Sequence, residues 1–229
     1  MSPAEPEFAR SSGRGRRYGA GRLIDWPVVT TTGVTGGEWR ATITPWGAIE
    51  PWDDGGHGPL DWYVAADDRW HVPSREPSVR QTRIEGTPVT ETRVRVPHGD
   101  AVQRIWSVPD AGGLTIVEIT NESTLPIAVA FSHRHVLTER PIADVAPAGL
   151  DHDGVELSDA AFVVPVGHAA STRVALVHGP LLGPDLLPPN LPTWHQVVRG
   201  WQGLVETASR LVLPDLWATH IATVVAERC

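Results

Sequence analysis

Short segments in which apolar and polar residues alternate recur between residues 38 and 178. In the first of them, Trp39, Ala41 and Ile43 alternate with polar neighbours. A period of two is typical of strands that bury one face. No helical pattern separates these segments, which argues against the strand–helix alternation of a parallel sheet. The predicted fold class is therefore mainly β, with antiparallel strands arranged as a sandwich.

Two parts of this region allow finer predictions. Leu114–Thr120 carries apolar residues on both faces, which indicates an interior strand that is covered on both sides. Phe162–Val166 and Thr172–His178 are two later apolar segments joined by a few small residues. This spacing predicts that they form a hairpin.

The pattern changes after residue 178. Residues 179–193 contain five prolines and two glycines, so they are predicted to be a linker whose leucines lie along a surface. Apolar residues then recur at helical spacing from Trp194 to Leu211, with Thr193 as the N-cap and Pro214 ending the helix. A second amphipathic helix completes a predicted α-helical hairpin over residues 194–229, with an apolar face of Trp217, Ile221, Val224 and Val225.

The two helices carry one apolar stripe each. We expect that packing of the helices on each other and on the sandwich leaves part of these stripes uncovered. Exposed apolar patches beyond a few hundred Å² usually mark a missing partner. We therefore expect a further helical domain or a second subunit to pack against the helices of residues 194–229.

Composition and charge exclude several classes of protein. Hydrophobic residues make up 41% of the chain and charged residues 20%, which indicates a globular protein. The formal charge of −8 argues against a nucleic-acid-binding body. The single cysteine, Cys229, excludes an internal disulfide framework. No apolar run predicts a membrane span or a signal peptide, so we expect a cytoplasmic location.

The first 22 residues differ from the rest of the chain. They contain five Arg, two Glu and no apolar periodicity. We predict a disordered basic tail, although such a tail is also suited to an acidic partner. Glycine-rich phosphate loops and the common hydrolase motifs are missing from the sequence, so no cofactor is expected.

Three stretches carry a resemblance to a known family. They are EWRATITPWGAIEPW at residues 38–52, TIVEITNESTLPIAVAFSHRHVL at 115–137 and GWQGLVETASRLVLPD at 200–215. Together they resemble the N-terminal supersandwich domain, a galactose-mutarotase-like fold, of (α/α)6-barrel glycoside hydrolases of the glucoamylase-like or glycogen-debranching-like type. The resemblance implies a supersandwich over residues 23–178, the linker over 179–193, and the start of an incomplete α-barrel over 194–229.

The same resemblance implies a function. In such enzymes the catalytic carboxylates lie in the helical barrel, and no catalytic position carries over to this chain. Glu206 and Asp215 are interpreted as helix-surface or capping residues. The expected function is that of the non-catalytic N-terminal portion of a carbohydrate-active enzyme, which supports a helical catalytic domain and contributes loop residues to the rim of its sugar cleft. A free-standing carbohydrate-binding module is the alternative.

The supersandwich is also the fold of aldose mutarotases, which suggests three candidate histidines. Mutarotases use His and a carboxylate as general acid and base, and a near-neutral imidazole suits such proton transfer. The candidates here are His98, His133 and His135. Alternate residues of a strand share a side, so His133 and His135 are also a candidate metal pair, with residues 151–153 as a source of a third ligand. The alternative is a pair of strand-end histidines bonded to the backbone.

Tryptophan is unusually frequent, with 10 residues in the chain. Several lie beside aspartates in the first third of the sequence. Indoles stack on the C–H faces of sugar rings while carboxylates accept bonds from sugar hydroxyls, so this pattern indicates a carbohydrate surface. The alternative is that these indoles fill the core. The predicted substrate-binding residues are Trp46, Trp52, Asp53, Asp54 and Trp62.

Overall fold

The computed structural model describes residues 30–52, 59–133, 136–141, 162–179 and 186–208. These residues form thirteen strands and one α-helix, Trp194–Thr207, which we call α1. In chain order the strands are β1 Thr30–Gly33, β2 Arg40–Ile43, β3 Ile49–Pro51, β4 Trp62–Ala65, β5 Trp70–His71, β6 Arg80–Arg83, β7 Thr90–Val96, β8 Gly99–Val108, β9 Leu114–Asn121, β10 Ile127–Phe131, β11 Leu137–Thr138, β12 Phe162–Val166 and β13 Ser171–Val177.

The strands form three antiparallel sheets. A three-stranded sheet has the order β1-β2-β3, a four-stranded sheet β12-β10-β4-β5, and a six-stranded sheet β11-β13-β9-β8-β7-β6. An antiparallel bridge between Ile49 and Leu60 connects the two smaller sheets. The prediction of a mainly β, antiparallel sandwich followed by helix is confirmed. The second predicted helix and the tail of residues 1–22 lie outside the described residues.

The main core contains the inward residues of all three sheets. Alternation along each strand determines which of its residues belong to this core, because successive side chains point to opposite faces. The fully buried members include Ala41, Ile49, Trp62, Val64, Val94, Ile105, Val117, Ile119, Val129 and Phe131.

Strand β9 is buried on both faces, as its sequence predicts. Val117 and Ile119 belong to the main core, whereas Leu114 and Ile116 belong to a second cluster on the opposite face of the six-stranded sheet. That second cluster is covered by the proline-rich segment and α1. The six-stranded sheet therefore lies between the main core and the second cluster.

The predicted hairpin between Phe162–Val166 and Thr172–His178 is wrong. Strand β12 pairs with β10 in the four-stranded sheet, while β13 pairs with β9 and β11 in the six-stranded sheet. The chain between them crosses from one sheet to the other. Asn121 fixes this crossing, because its side-chain amide donates to the carbonyls of Val166 and Gly167. These bonds tie the chain that follows β12 to the end of β9.

The described part of the proline-rich segment, residues 186–193, lies on the six-stranded sheet, as predicted for its leucines. Leu187 and Leu191 pack in the second cluster. The indole Nε1 of the buried Trp106 donates to the carbonyl of Pro192 at 3.1 Å. This bond places the start of α1 directly above the central strands.

Helix α1 begins where the sequence indicates. Thr193 is the N-cap, and its side chain and that of Gln196 form a reciprocal capping box. Val198 is buried against the second cluster, and Arg104 lies over the ring of Trp194 at 4.8 Å. The helix ends at Thr207, four residues before the predicted limit at Leu211, which lies outside the described residues. No described helix combines the length and apolar character needed to cross a lipid bilayer.

Candidate functional site

The outer face of the three-stranded sheet carries a row of polar side chains. Thr31 pairs with Thr42, and Thr42 pairs with Glu50, so these three residues lie side by side across the strands. Their neighbours along the strands, including Ala41 and Ile49, point into the core. The row therefore faces away from the sandwich, where alternation predicts polar residues.

Trp52 stands beside this row and is both exposed and fixed. Its backbone N–H donates to the Arg40 carbonyl at 2.9 Å, which extends the pairing of β2 and β3. Its indole Nε1 donates to Thr42 Oγ1 at 2.8 Å. The side chain is nevertheless 62% exposed. A large apolar ring is thus held in one orientation while most of it faces solvent.

The residue opposite Trp52 leaves the indole uncovered. Arg40 directs its guanidinium to the loop that joins β1 and β2, where Nη1 donates to the carbonyls of Gly37 and Trp39. These bonds account for the position of the guanidinium beside the loop. The ring of Trp52 therefore stays open to a ligand.

Two carboxylates continue the outer face towards the four-stranded sheet. The Ile49–Leu60 bridge makes Glu50 and Asp61 diagonal neighbours across adjacent strands, a geometry in which side chains interact. Asp61 lies between β3 and β4, where its Oδ1 accepts from the Trp62 N–H at 2.9 Å. Its own N–H donates to Ser132 Oγ at 2.9 Å. Glu50 is exposed, whereas Asp61 is half-buried.

The surroundings of Asp61 shift its pKa. Burial raises the pKa of Asp61 above its usual value, and the negative charge of Glu50 raises it further, while the bond from the Trp62 N–H opposes the change. Burial also raises the pKa of Tyr63, and the charge of Asp61 adds to this effect. We call the group of Thr31, Thr42, Glu50, Trp52 and Asp61 the Trp52 surface. It combines a fixed aromatic ring with hydroxyl groups and carboxylates that accept hydrogen bonds.

The structure separates the predicted tryptophans into two environments. Trp62 is fully buried in the main core, and its Nε1 donates to the Trp46 carbonyl at 2.9 Å. This burial corrects the interpretation of Trp62 as a sugar platform, because no face of its ring reaches solvent. Trp46 is half-buried. Asp53 and Asp54 lie outside the described residues.

The structure does not bring the predicted histidines together. His98 is exposed in the β7–β8 turn, which lies beside the β9–β10 turn at one end of the sandwich. His133 is buried and follows the opposite end of β10. His135 and residues 151–153 lie outside the described residues. In the described part of the chain, no three His, Cys, Asp or Glu residues form a group suited to a metal ion.

The buried imidazole of His71, which no sequence pattern indicated, lies between two carboxylates. His71 Nε2 lies 2.9 Å from Asp68 Oδ1, and His71 Nδ1 lies 3.2 Å from Glu76 Oε1. Arg69 binds both carboxylate oxygens of Glu76. The His71 side chain is only 3% exposed, so its imidazole is closed to a substrate and joins β5 to the segment that follows it.

Sequence reasoning also missed Thr42, Glu50 and Asp61 as partners of Trp52. Alternation around the buried Ala41, Ile49 and Trp62 contained the signal that all three point outward. The sequence pattern did not predict the bridge between Ile49 of β3 and Leu60, which precedes β4. Comparison with protein-family models, with curated proteins and with solved structures finds no match to this chain.

Proposed function

We propose that this chain is a non-catalytic, carbohydrate-binding portion of a carbohydrate-active enzyme. The sandwich holds a sugar at the Trp52 surface, and the helix-bearing face supports a helical partner domain. The observation that carries the proposal is the indole of Trp52, which is 62% exposed and yet fixed by its bond to Thr42. Glu50 and Asp61 lie on the same outer face.

The chemistry of a sugar fits this combination. One face of a pyranose ring presents C–H groups, which pack favourably on an indole because this contact removes apolar surface from water. The hydroxyl groups at the ring edge donate hydrogen bonds, and ionised carboxylates are strong acceptors for them. A fixed indole loses little side-chain entropy on binding, because its orientation is already set.

Calorimetric titration of the full chain with a panel of neutral oligosaccharides tests the proposal. We expect Trp52→Ala to weaken binding by about 30-fold, the effect of losing a central aromatic anchor. Leu204→Ala is the matched control, because Leu204 is also 62% exposed and belongs to α1. Equal affinity of the wild type and Trp52→Ala, or no binding to any sugar, would overturn the proposal.

Three further measurements separate the related functions. The mass of the native polypeptide in source cells distinguishes a portion of a longer enzyme from a free-standing carbohydrate-binding module. Release of reducing sugar by the purified chain would contradict the non-catalytic role. Faster mutarotation of fresh α-glucose or α-galactose in polarimetry would favour a mutarotase instead.

A further inference from the structure

Helix α1 has contacts along its length, but among the described residues only its first half packs against the six-stranded sheet. Val198 is buried, and Trp194 and Val197 pack against the second cluster of the six-stranded sheet. Further along, Gln202 Nε2 donates to Glu85 Oε2 in the 3-10 turn Ile84–Gly86. The second half of the helix is therefore held beside this turn.

That second half carries an exposed apolar ridge. Leu204 is 62% exposed and Val205 is 41% exposed, while Trp201 is half-buried beside them. These residues have the spacing i, i+3 and i+4, so they lie on one side of the helix. Such a ridge matches the grooves of a second helix.

A groove runs between the ridge and the 3-10 turn. Its volume is about 350 Å³, and the charged residues that line it in the described part of the chain, Glu85 and Glu206, are both acidic. A Cβ added to Gly86 would meet no atom within 4 Å, so the turn leaves open space beside the groove. On its helix side the groove thus presents the apolar Trp201 and Val205 beside Gln202, and its described charged residues are negative.

We propose that this groove, the α1 groove, binds a basic amphipathic helix of a partner polypeptide. Apolar side chains of that helix pack on Trp201, Leu204 and Val205. Its Arg or Lys side chains reach Glu85 and Glu206, because complementary charges at a rim select the partner and fix its register. Helix-in-groove recognition uses this combination of apolar anchors and flanking charges. The inference rests on the proposed function, since it gives the chemistry of the helical partner that the sandwich supports.

A pair of designed peptides tests the inference on the full chain. Both are helices of about 18 residues, long enough to be helical in water, with one leucine stripe. One carries Arg beside the stripe and the other carries Glu. Fluorescence anisotropy is expected to show that the Arg peptide binds about tenfold more tightly than the Glu peptide.

Substitutions in the groove give two independent readouts. Leu204→Ser and Val205→Ser are expected to weaken binding of the Arg peptide by about tenfold each. The double variant Glu85→Arg, Glu206→Arg is expected to reverse the preference, so that the Glu peptide binds more tightly. Leu125→Ser is the control, because Leu125 is exposed outside the groove. All five positions are exposed, and circular dichroism verifies that the variants remain folded.

Several outcomes would overturn the inference. They are equal binding of the two peptides, no binding of either, or binding that Leu204→Ser leaves unchanged. Self-association of the chain that Leu204→Ser abolishes would identify a second copy as the occupant instead. Trp52→Ala is expected to leave peptide binding unchanged, so a failure of sugar binding and a failure of the α1 groove are observed separately.

Discussion

The imidazole of His178 and the indole of Trp39 stack face to face, with ring centroids 4.0 Å apart and planes 6° from parallel. At the edge of the imidazole ring, Nε2 lies 2.8 Å from Thr115 Oγ1. Thr115 bonds to Ser107, and Ser107 bonds to Thr32 of β1. This series of hydrogen bonds joins the three-stranded sheet to the inner face of the six-stranded sheet.

The stacked histidine predicts a specific loss of stability in mild acid. Burial, together with the positive charge of Arg40, lowers the pKa of His178 from 6.5 to about 4. Between these two pH values the unfolded chain binds the proton more readily than the folded chain. The free energy of unfolding is therefore expected to fall as the pH falls from 6.5 to about 4. Urea unfolding at a series of pH values measures this slope.

A pair of histidine variants isolates the contribution of His178. His178→Gln removes the titrating group, so its unfolding free energy is expected to depend less on pH in this window. His98→Gln is the control, because His98 is exposed in a turn and its replacement is expected to keep the wild-type slope. Identical slopes in His178→Gln and the wild type would contradict the assignment.

Asn121 is predicted to be among the most sensitive polar residues of the sandwich. Its side-chain amide donates to the carbonyls of Leu125, Val166 and Gly167, and its Oδ1 accepts from the N–H and hydroxyl of Ser123. Its side chain is fully buried, so the sequon Asn121-Glu122-Ser123 offers no accessible acceptor for glycosylation. Asn121→Ala would leave several of these buried groups without partners.

We expect Asn121→Ala to lower the free energy of unfolding by about 3 kcal/mol or more, since each unpaired buried group costs about 1–3 kcal/mol. Thr124→Ala changes an exposed residue of the same turn and is expected to stay within about 0.5 kcal/mol of the wild type. Chemical denaturation compares the two variants. A loss for Asn121→Ala no larger than that for Thr124→Ala would show that backbone pairing alone holds the crossing.

The wrong hairpin shows where sequence reasoning stopped for the fold. Local patterns predicted several of the strands, the double burial of Leu114–Thr120 and the N-cap at Thr193. The crossing between β12 and β13 instead involves long-range contacts, such as those of the Asn121 side chain with carbonyls 45 and 46 residues away. No periodicity in the sequence encodes those contacts.

The tryptophans show the same limit for the site. Trp52 and Trp62 are both flanked by aspartates, and composition alone treats them alike. Alternation separates them, because Trp62 shares a face with the buried Val64 whereas Trp52 shares one with the exposed Glu50. The proximity of Asp61 to Glu50 had no such signal, since it depends on the bridge between two sheets.

Gly47 is predicted to link stability to the geometry of the Trp52 surface. It lies in the turn between β2 and β3 with a φ of 86°, and an added Cβ would collide with the side-chain oxygen of Gln103. This turn sets the register that places Thr42 beside Glu50. Gly47→Ala is expected to cost about 3 kcal/mol or more, from the strained φ and the collision together.

Gly36→Ala provides the control for Gly47→Ala. Gly36 also has a positive φ, 79°, but no atom lies within 4 Å of its added Cβ. Only the backbone strain applies there, so the expected loss is about 1–2 kcal/mol. Thermal unfolding and sugar titration of both variants measure the two effects. Similar stability of the two variants would exclude a role for the Gly47–Gln103 contact.

The pH dependence of sugar binding is predicted to follow Asp61. Protonation of this carboxyl removes a hydrogen-bond acceptor, so the affinity for a neutral oligosaccharide is expected to fall as the pH is lowered. Burial and the charge of Glu50 raise the pKa of Asp61 above 3.8, so the fall is expected at a higher pH than for an ordinary aspartate. In Asp61→Asn this pH dependence is expected to disappear.

Glu50→Gln tests the interaction between the two carboxyls by its sign. Removal of the negative charge at residue 50 takes away a repulsion that favours the protonated form of Asp61. The pKa of Asp61 therefore decreases, and the midpoint of the binding curve is expected to move to lower pH even though the overall affinity is weaker. Calorimetric titration at a series of pH values measures that midpoint. A midpoint that stays in place or moves to higher pH would show that Glu50 does not act on Asp61.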